Sequence, residues 1–208
     1  MIQIYDDLDL IEKYMQDRVG LGKSFDLGVR KIKLMKKEVN LYYVNGLCDS
    51  ALIAELLETL LFLNDTDRKP QASNIFDIVQ NQLVHQSVQP IEKMDELVDQ
   101  VLSGLIVICV EGYNQGLAVD VRSYPGRMPQ EPDTEKVVRG SRDGFVENII
   151  VNTAITRRRI RDERLRFEMM KVGERSKTDV SISYIEGLAD PDLIDIIRKE
   201  LENIKQMV

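Results

Sequence analysis

Histidine and cysteine are scarce in this sequence. Its 208 residues include one histidine, His85, and two cysteines, Cys48 and Cys109, which both lie in apolar runs. Because a metal site or a disulfide framework needs more such side chains at closer spacing, we expect reduced core cysteines and no metal or cofactor. His85 lacks a partner at ligand spacing, which favours an ordinary polar residue over a ligand or a catalytic base.

Long apolar runs are also missing. No stretch approaches the roughly 18–20 consecutive apolar residues of a membrane span, so we expect that these residues do not cross a bilayer. The opening sequence MIQIYDDLDLIEKYMQDR is acidic and lacks the basic and apolar regions of a signal peptide, which predicts that the chain is not exported.

Positive charge is concentrated in one segment. The formal net charge is −7, which argues against nonspecific binding to nucleic acid. Eight arginines nevertheless lie between residues 139 and 166. We therefore expect that any anionic partner binds in that segment.

The sequence contains an internal repeat. Residues 43–53, YVNGLCDSALI, and residues 184–194, YIEGLADPDLI, are offset by 141 positions and are identical at six of eleven positions. Self-similarity of this kind indicates two related structural units. In each copy, a strand-like run is followed by a glycine turn, an aspartate and the start of a helix.

The first half combines hairpins and helices. Apolar residues at helical spacing predict a helix over residues 2–18, ended by glycines at 20 and 22. Asp49 is placed to cap the helix of the first repeat, whose apolar face covers residues 52–61. Apolar runs and turn residues predict the other elements: hairpins over residues 25–34 with 39–44 and over 105–110 with 117–121, and helices over 73–80 and 92–102.

The second half repeats the first hairpin. Three prolines between residues 125 and 132 predict an irregular surface segment, and a helix over residues 145–159 follows it and ends in three arginines. Residues 165–171 and 179–185 predict a hairpin. Asp190 as N-cap, with proline at the first helical position, predicts the start of the last helix.

Together these elements predict an α/β (α+β) fold of two related subdomains. Each has a small mixed sheet with packed helices, and a linker rich in proline and arginine joins them with a helix. We expect the first subdomain at residues 1–124, the linker and connecting helix at 125–161, and the second subdomain at 162–208. Because a hairpin with one helix buries too little apolar surface to be stable alone, we expect a fragment of a longer protein. Otherwise the first half or another copy fills the missing edge.

The linker has two stretches that could suggest catalysis. Residues 140–144, GSRDG, lack the lysine and the preceding strand of a phosphate-binding loop, so nucleotide binding is disfavoured. The carboxylates at residues 131–135 lie in a proline-rich loop, which favours salt links with Arg139 and Arg142 over acid–base chemistry. We expect a protein that is not an enzyme and has no catalytic residues.

The arginines at residues 157–159 and 161–166 have two interpretations. In the first interpretation, the arginines form a solvated helix end and pair with nearby acids, and each exposed pair contributes only ~0–1 kcal/mol. In the second interpretation, the arginines form a recognition surface. At least one of them then faces the joint between the halves, while others face a partner or anionic headgroups. The sequence leaves both interpretations open.

The centre of the chain carries a family resemblance. The residues concerned are Tyr124, Pro125, Glu131, Pro132, Glu135, Val138, Arg139, Gly140, Arg142, Gly144, Phe145, Glu147, Asn152, Arg157, Arg158, Arg159 and Ile160. On these residues the chain closely resembles the N-terminal soluble domain of GerA-type spore germinant receptor A subunits. Ser141 and Asp143 stand where that family more often has proline and glutamate, which favours a branch apart from the nutrient receptors proper.

The resemblance implies a soluble domain of a spore inner-membrane protein that faces the cytoplasm or spore core. Proteins similar to this one assemble with other membrane subunits and act in germination, where ion release precedes export of calcium dipicolinate. We interpret the domain as an interaction and signal-transmission module of an ion-channel complex that resembles a germinant receptor. The alternative is a module that binds a nutrient or an anion between the subdomains.

The partners and interaction residues follow from the same resemblance. Other subunits of the membrane complex are the expected partners, with a second copy of the chain and anionic lipid headgroups as further candidates and no nucleic acid. The family motif suggests these interaction residues: Glu131, Pro132, Glu135, Arg139, Gly140, Arg142, Gly144, Phe145, Glu147, Asn152, Arg157, Arg158 and Arg159.

Overall fold

The computed structural model of this chain describes residues 2–65, 79, 87–124 and 144–204, and only the backbone of 63–65. The helices within these ranges are α1 (Leu8–Val19), α2 (Ser50–Asp65), α3 (Met94–Leu102), α4 (Ile149–Arg159) and α5 (Pro191–Asn203). The strands are β1 (Leu27–Leu34), β2 (Lys37–Val44), β3 (Val88–Ile91), β4 (Ile106–Val110), β5 (Gly116–Val119), β6 (Leu165–Val172) and β7 (Thr178–Ile185). This mixture of helices and strands confirms the predicted α/β class.

The strands form two sheets. The large sheet has the order β1-β2-β4-β5-β3, and the small sheet is the hairpin β6-β7. All pairings among the described strands are antiparallel rather than mixed, because hairpins join β1 to β2, β4 to β5 and β6 to β7. The predicted subdomain boundaries remain a prediction.

The large sheet lies between helices on both faces. Side chains alternate along β2, so that Val39 and Leu41 pack with α2 while Tyr42 and Val44 pack with α1 and α3. All five residues of β4 are buried, which confirms the prediction of a strand covered on both faces. No helix in the described ranges is both long enough and apolar enough to cross a membrane.

The internal repeat folds as the same strand–turn–helix unit in both places. Gly46 and Gly187, in the turns after β2 and β7, have φ angles of 81° and 78°, which favour glycine. Asp49 and Asp190 then cap α2 and α5, and each accepts a hydrogen bond from the amide two residues further on, at 2.8 and 3.0 Å. These contacts confirm both predicted caps and the predicted repeat.

The repeat extends beyond the matching residues into both hairpins. Asn45 N donates to Asp26 O at 2.7 Å, and Glu186 N donates to Arg164 O at 2.9 Å, so the hairpins close in the same way. β1 and β6 each have eight residues. The turn between β6 and β7 has three residues more than the turn between β1 and β2. The offset between the copies is therefore 141 positions for β2 and β7 but 138 for β1 and β6.

The first residues of the chain differ from the prediction. Residues 2–7 are extended rather than helical, because Ile4 N donates to Glu92 O at 2.8 Å and Gln3 forms a bridge with Lys93. Asp7 caps α1, which therefore begins at Leu8. The spacing of apolar residues cannot show that residues 2–7 are extended rather than helical, because their hydrogen bonds come from a distant segment.

Strand β3 was not predicted. It contains Pro90, which cannot donate a ladder hydrogen bond, but β3 lies at the edge of the large sheet, where proline is tolerated. Its register places Pro90 opposite Leu117 of β5. The helix predicted over residues 73–80 lies outside the described ranges apart from residue 79.

The two caps allow a matched test of the repeat. We predict that Asp49→Ala and Asp190→Ala each lower the free energy of unfolding by about 1 kcal/mol, because each leaves helix N–H groups without an acceptor. Urea denaturation followed by circular dichroism measures the change. Asp49→Asn and Asp190→Asn are the controls, since asparagine caps equally well. An equal loss in the asparagine variants would contradict the capping role.

Candidate functional site at the joint between the sheets

The structure describes seven of the thirteen predicted interaction residues. The other six lie outside the described ranges: Glu131, Pro132, Glu135, Arg139, Gly140 and Arg142. The salt links predicted for Arg139 and Arg142 also lie there and stay a prediction.

The segment before α4 is fixed by Asn152. Its side chain donates to Val146 O at 2.7 Å and accepts from Val146 N at 2.8 Å. Gly144, Phe145 and Glu147 lie on the exposed surface of the same segment, and Phe145 is 70% exposed. Asn152 therefore positions the entry into α4, while its neighbours are available for contact.

The two sheets meet at a joint formed by residues 18–26 and residues 157–167. Phe25 N donates to Phe167 O at 3.0 Å, and Phe167 N donates to Oγ of Ser24 at 2.9 Å. The two phenyl rings meet edge to face with centroids 6.3 Å apart. Strand β6 is thereby tied to the segment that leads into β1.

Arg157 is the buried charge at the centre of the joint. It lies in the last turn of α4, and its side chain and that of Asp26 are fully buried. Nε and Nη2 donate to the two carboxylate oxygens of Asp26 at 2.8 and 3.2 Å, a bidentate ion pair. Nη2 and Nη1 also donate to Leu165 O and Asp162 O at 3.0 and 3.3 Å. The guanidinium lies 5.0 Å from the ring of Phe167, so its flat face is covered too.

Arg166 is a second buried arginine of the joint, and the thirteen predicted interaction residues do not include it. It is 2% exposed, and its Nη1 donates to Val19 O and Glu163 O at 2.9 and 2.6 Å, while Nε donates to Glu186 at 2.9 Å. Gly20, which ends α1 with a φ of 76°, makes room, since a Cβ there would lie 2.5 Å from Nε of Arg166. Strand alternation does not reveal this burial, because some of the groups that surround Arg166, such as Val19 O, come from distant α1.

Partly exposed ion pairs surround the buried arginines. Arg18 pairs with Glu163 at 2.7 Å, and Lys23 pairs with Glu186 at 2.5 Å. The hydrogen bond between Lys23 and Glu186 lowers the pKa of the glutamate and raises the pKa of the lysine. Exposed pairs of this kind contribute ~0–1 kcal/mol each, so losing one of them costs less than breaking the buried pair of Arg157 and Asp26.

The other two arginines of the predicted cluster lie on the surface. Arg158 and Arg159 are exposed, and the guanidinium of Arg158 lies 4.5 Å from the ring of Tyr124. Successive residues on a helix differ by about 100° in direction, so three consecutive arginines cannot all reach the joint. Arg157 faces the joint, as the second interpretation expects of at least one arginine, and a partner for the exposed arginines stays a prediction.

A pocket of about 180 Å³ lies beside the joint. Lys23 lines it from the segment before β1, and Tyr184, Glu186 and Arg198 line it from the small sheet and α5. Lys23 is paired with Glu186, and Arg198 is paired with Glu168 at 2.8 Å. The pocket therefore presents both signs of charge in paired form.

The two cysteines and the possible metal ligands are scattered over the described part of the chain. Within them, no three His, Cys, Asp or Glu side chains are grouped so that they could hold a metal ion. Both cysteines are free thiols, but only Cys109 is fully buried as a core residue, whereas Cys48 is partly buried. Burial raises the pKa of Cys109 to about 12 and that of Cys48 to about 11. Neither thiol is therefore activated as a nucleophile.

These features define an α/β domain whose two sheets are joined through buried arginines. A family model for the Bacillus/Clostridium GerA spore germination protein matches residues 13–207. The chain belongs to the GerA family of spore germination proteins and is related to germinant receptor A subunits.

Two relatives show how the chain fits into longer proteins. Stage V sporulation protein AF of Bacillus subtilis (strain 168) is 56% identical over 203 residues, which cover 98% of this chain and 41% of that protein. The uncharacterized membrane protein YfkQ of the same organism is 33% identical over 168 residues, 77% of this chain and 33% of that protein. The chain thus spans less than half of the curated relatives it matches.

A solved structure has the same fold. The crystal structure of the N-terminal domain of the A subunit of the Bacillus megaterium spore germinant receptor GerK3 matches with a TM-score of 0.76 and 25% identity. The match covers 98% of this chain and 74% of that chain. The predicted family resemblance is confirmed, and the 56% identity to stage V sporulation protein AF confirms the predicted branch.

The buried ion pair gives a sharp prediction for stability. Arg157→Met leaves Asp26 as a buried carboxylate without its cation, so we expect the free energy of unfolding to fall by about 3–5 kcal/mol. Arg158→Met, at the next position, loses only its contact with Tyr124 and should cost about 0.5–1 kcal/mol. Chemical denaturation of both variants measures the difference. Equal losses would mean that the Arg157 pair does not hold the joint.

The rim of the joint gives a prediction for pH. The pKa of Glu186 is lowered from its ordinary value of 4.5, chiefly by the hydrogen bond from Lys23. A carboxyl group whose pKa is lowered by folding stabilises the fold at pH values above its ordinary pKa. This stabilisation is lost as the pH falls through the lower pKa of the folded state. Glu186→Gln should therefore narrow the stability difference between pH 6 and pH 3, measured by thermal denaturation. An unchanged difference would exclude this contribution.

Proposed function

We propose that this chain is a non-enzymatic interaction and signal-transmission domain of a membrane complex that acts in spore germination. Its membership in the GerA family and its likeness to a germinant receptor A subunit support a role in spore germination. The observation that carries the proposal is the fully buried bidentate pair of Arg157 and Asp26, which joins the two sheets by directional contacts.

A buried ion pair favours discrete arrangements of the joint over gradual bending. A displacement that separates Arg157 from Asp26 leaves two buried charges unpaired. Breaking such a pair costs about 3–5 kcal/mol of free energy. A partner that binds one arrangement more tightly shifts the population toward it by its difference in affinity. In this proposal, partner subunits bias the joint, and the change reaches the membrane part of the complex.

The surface next to the joint offers a contact for acidic partners. Arg158, Arg159 and Arg161 are exposed on α4 and on the segment that leads into β6. Arg164 is exposed as well, but its guanidinium is paired with Asp162 at 2.8 Å. We propose acidic surfaces of sister subunits as the partner, with anionic lipid headgroups or a second copy of the chain as alternatives. The relative YfkQ bears the name of a membrane protein, which supports a place beside a membrane. We propose that this membrane is the spore inner membrane and that the domain faces the cytoplasm or spore core.

Arg157→Lys tests the role of the joint. Lysine keeps the charge but cannot form the bidentate contact with Asp26. In spores that carry this change in the full-length protein, we expect slower release of ions and dipicolinate at an unchanged level of the protein. Arg30→Lys, on the exposed face of β1, is the control and should leave the rate unchanged. Wild-type rates for Arg157→Lys would contradict signal transmission through the joint.

The second candidate function is binding of a small nutrient or anion. The pocket beside the joint supports it, because residues from both sides of the joint line it and a ligand there would favour one arrangement. Titration of the purified domain with amino acids, sugars, dipicolinate and nucleotides, followed by melting temperature, tests this function. A ligand at 100 times its Kd should stabilise the domain by about 2.7 kcal/mol. No shift with any of them, together with co-purification of a sister subunit, would favour the interaction module.

A further inference from the structure

Helix α5 exposes apolar side chains that its counterpart in the repeat buries. Leu56 of α2 is 0% exposed, whereas Ile197, 141 positions later in α5, is 37% exposed. Leu60 is likewise 0% exposed, and its counterpart Leu201 is only partly buried. In α2 these leucines pack on β4 and β5 through apolar residues such as Ile106, Ile108 and Leu117. Burying such side chains stabilises a fold, so their exposure marks a missing layer.

The strand beneath α5 has an open edge at the equivalent place. In the large sheet, β4 pairs with β2 and sets Asn40 opposite Cys109. Among the described residues, β7 pairs with β6 alone. Glu186 N donates inward to Arg164 O, and backbone groups alternate along a strand, so Ser181 and Ser183 direct their amides away from β6.

A side chain beside this edge also lacks a partner. The Oγ of Ser181 is buried and has no hydrogen-bond partner within the described part of the chain. Its counterpart in the repeat, Asn40, donates to the hydroxyl of Tyr42 at 3.1 Å beneath the edge that β4 covers. Buried polar atoms are rarely left unpaired in complete structures. Helix face and strand edge thus point to the same missing neighbour, and the unpaired Oγ of Ser181 lies beside that edge.

We propose that the outer edge of β7 and the apolar face of α5 form a docking site for a further β-strand that runs antiparallel to β7. The strand presents apolar side chains to α5, as β4 presents Ile106 and Ile108 to α2. It takes hydrogen bonds from Ser181 N and Ser183 N. This inference is independent of the proposed signalling role.

The occupant is a later segment of the same polypeptide rather than a separate subunit. β4 reaches β2 within one chain in the first copy of the repeat. The relatives supply the length, since stage V sporulation protein AF matches over only 41% of its length and the solved receptor domain over 74%. A strand in the same chain also has a high effective concentration at its site.

Amide hydrogen exchange tests the strand addition. It compares residues 1–208 with the full-length protein in lipid nanodiscs. We expect the amides of Ser181 and Ser183 to exchange slower by on the order of tenfold or more in the full-length protein, since a covered edge must open before exchange. Ile182 and Tyr184, whose amides face β6, are the internal controls. Fast exchange in the full-length protein, or protection only after a sister subunit is added, overturns the proposal.

Two neighbouring isoleucines provide an independent test. Ile196 and Ile197 are both exposed here, but Ile196 corresponds to the exposed Glu55 of α2 and Ile197 to the buried Leu56. Ile197→Asp should lower the melting temperature of the full-length protein more than that of residues 1–208. Ile196→Asp should have the same small effect in both. Equal effects of Ile197→Asp in the two proteins would mean that no strand covers it.

Discussion

The ion pair of Arg157 and Asp26 is the contact on which the relation between the two sheets depends. Both side chains are fully buried, so neither charge can be compensated by water. Asp26 directly precedes β1, and Arg157 lies in the last turn of α4, which contacts β7 of the small sheet. A change in the relation between the sheets must therefore either carry this pair along or break it. Buried pairs are uncertain sources of stability, but they are strong constraints on geometry.

The molecule uses one local unit twice and completes it differently. In both copies a hairpin ends at a glycine turn, and an aspartate caps the helix that follows. Helix α2 of the first copy is buried against three further strands of the large sheet, whereas helix α5 of the second copy leaves its apolar face open. The repeat thus shows which neighbours the second copy lacks, because the first copy contains them.

The arginine cluster combines structural and surface roles within a few residues. Arg157 and Arg166 are enclosed by carboxylate and carbonyl oxygens of the joint. Arg158 and Arg159 remain on the surface. This division places the exposed positive charge next to the contact that fixes the two sheets. A partner bound at that surface would lie beside the joint, as a signalling role requires.

The sequence by itself determined the hairpins, both helix caps and the repeat, because each depends on residues a few positions apart. Glycine with positive φ and aspartate at a helix start act through their own backbone neighbourhood. Strand β3 and the extended residues 2–7 escaped prediction, since their hydrogen bonds come from segments distant in the chain. Asp26 and Arg157 are 131 positions apart, so no local pattern could pair them. Only the tertiary structure decided which arginines are buried, because burial depends on which distant carboxylates and carbonyls the fold brings within hydrogen-bond reach.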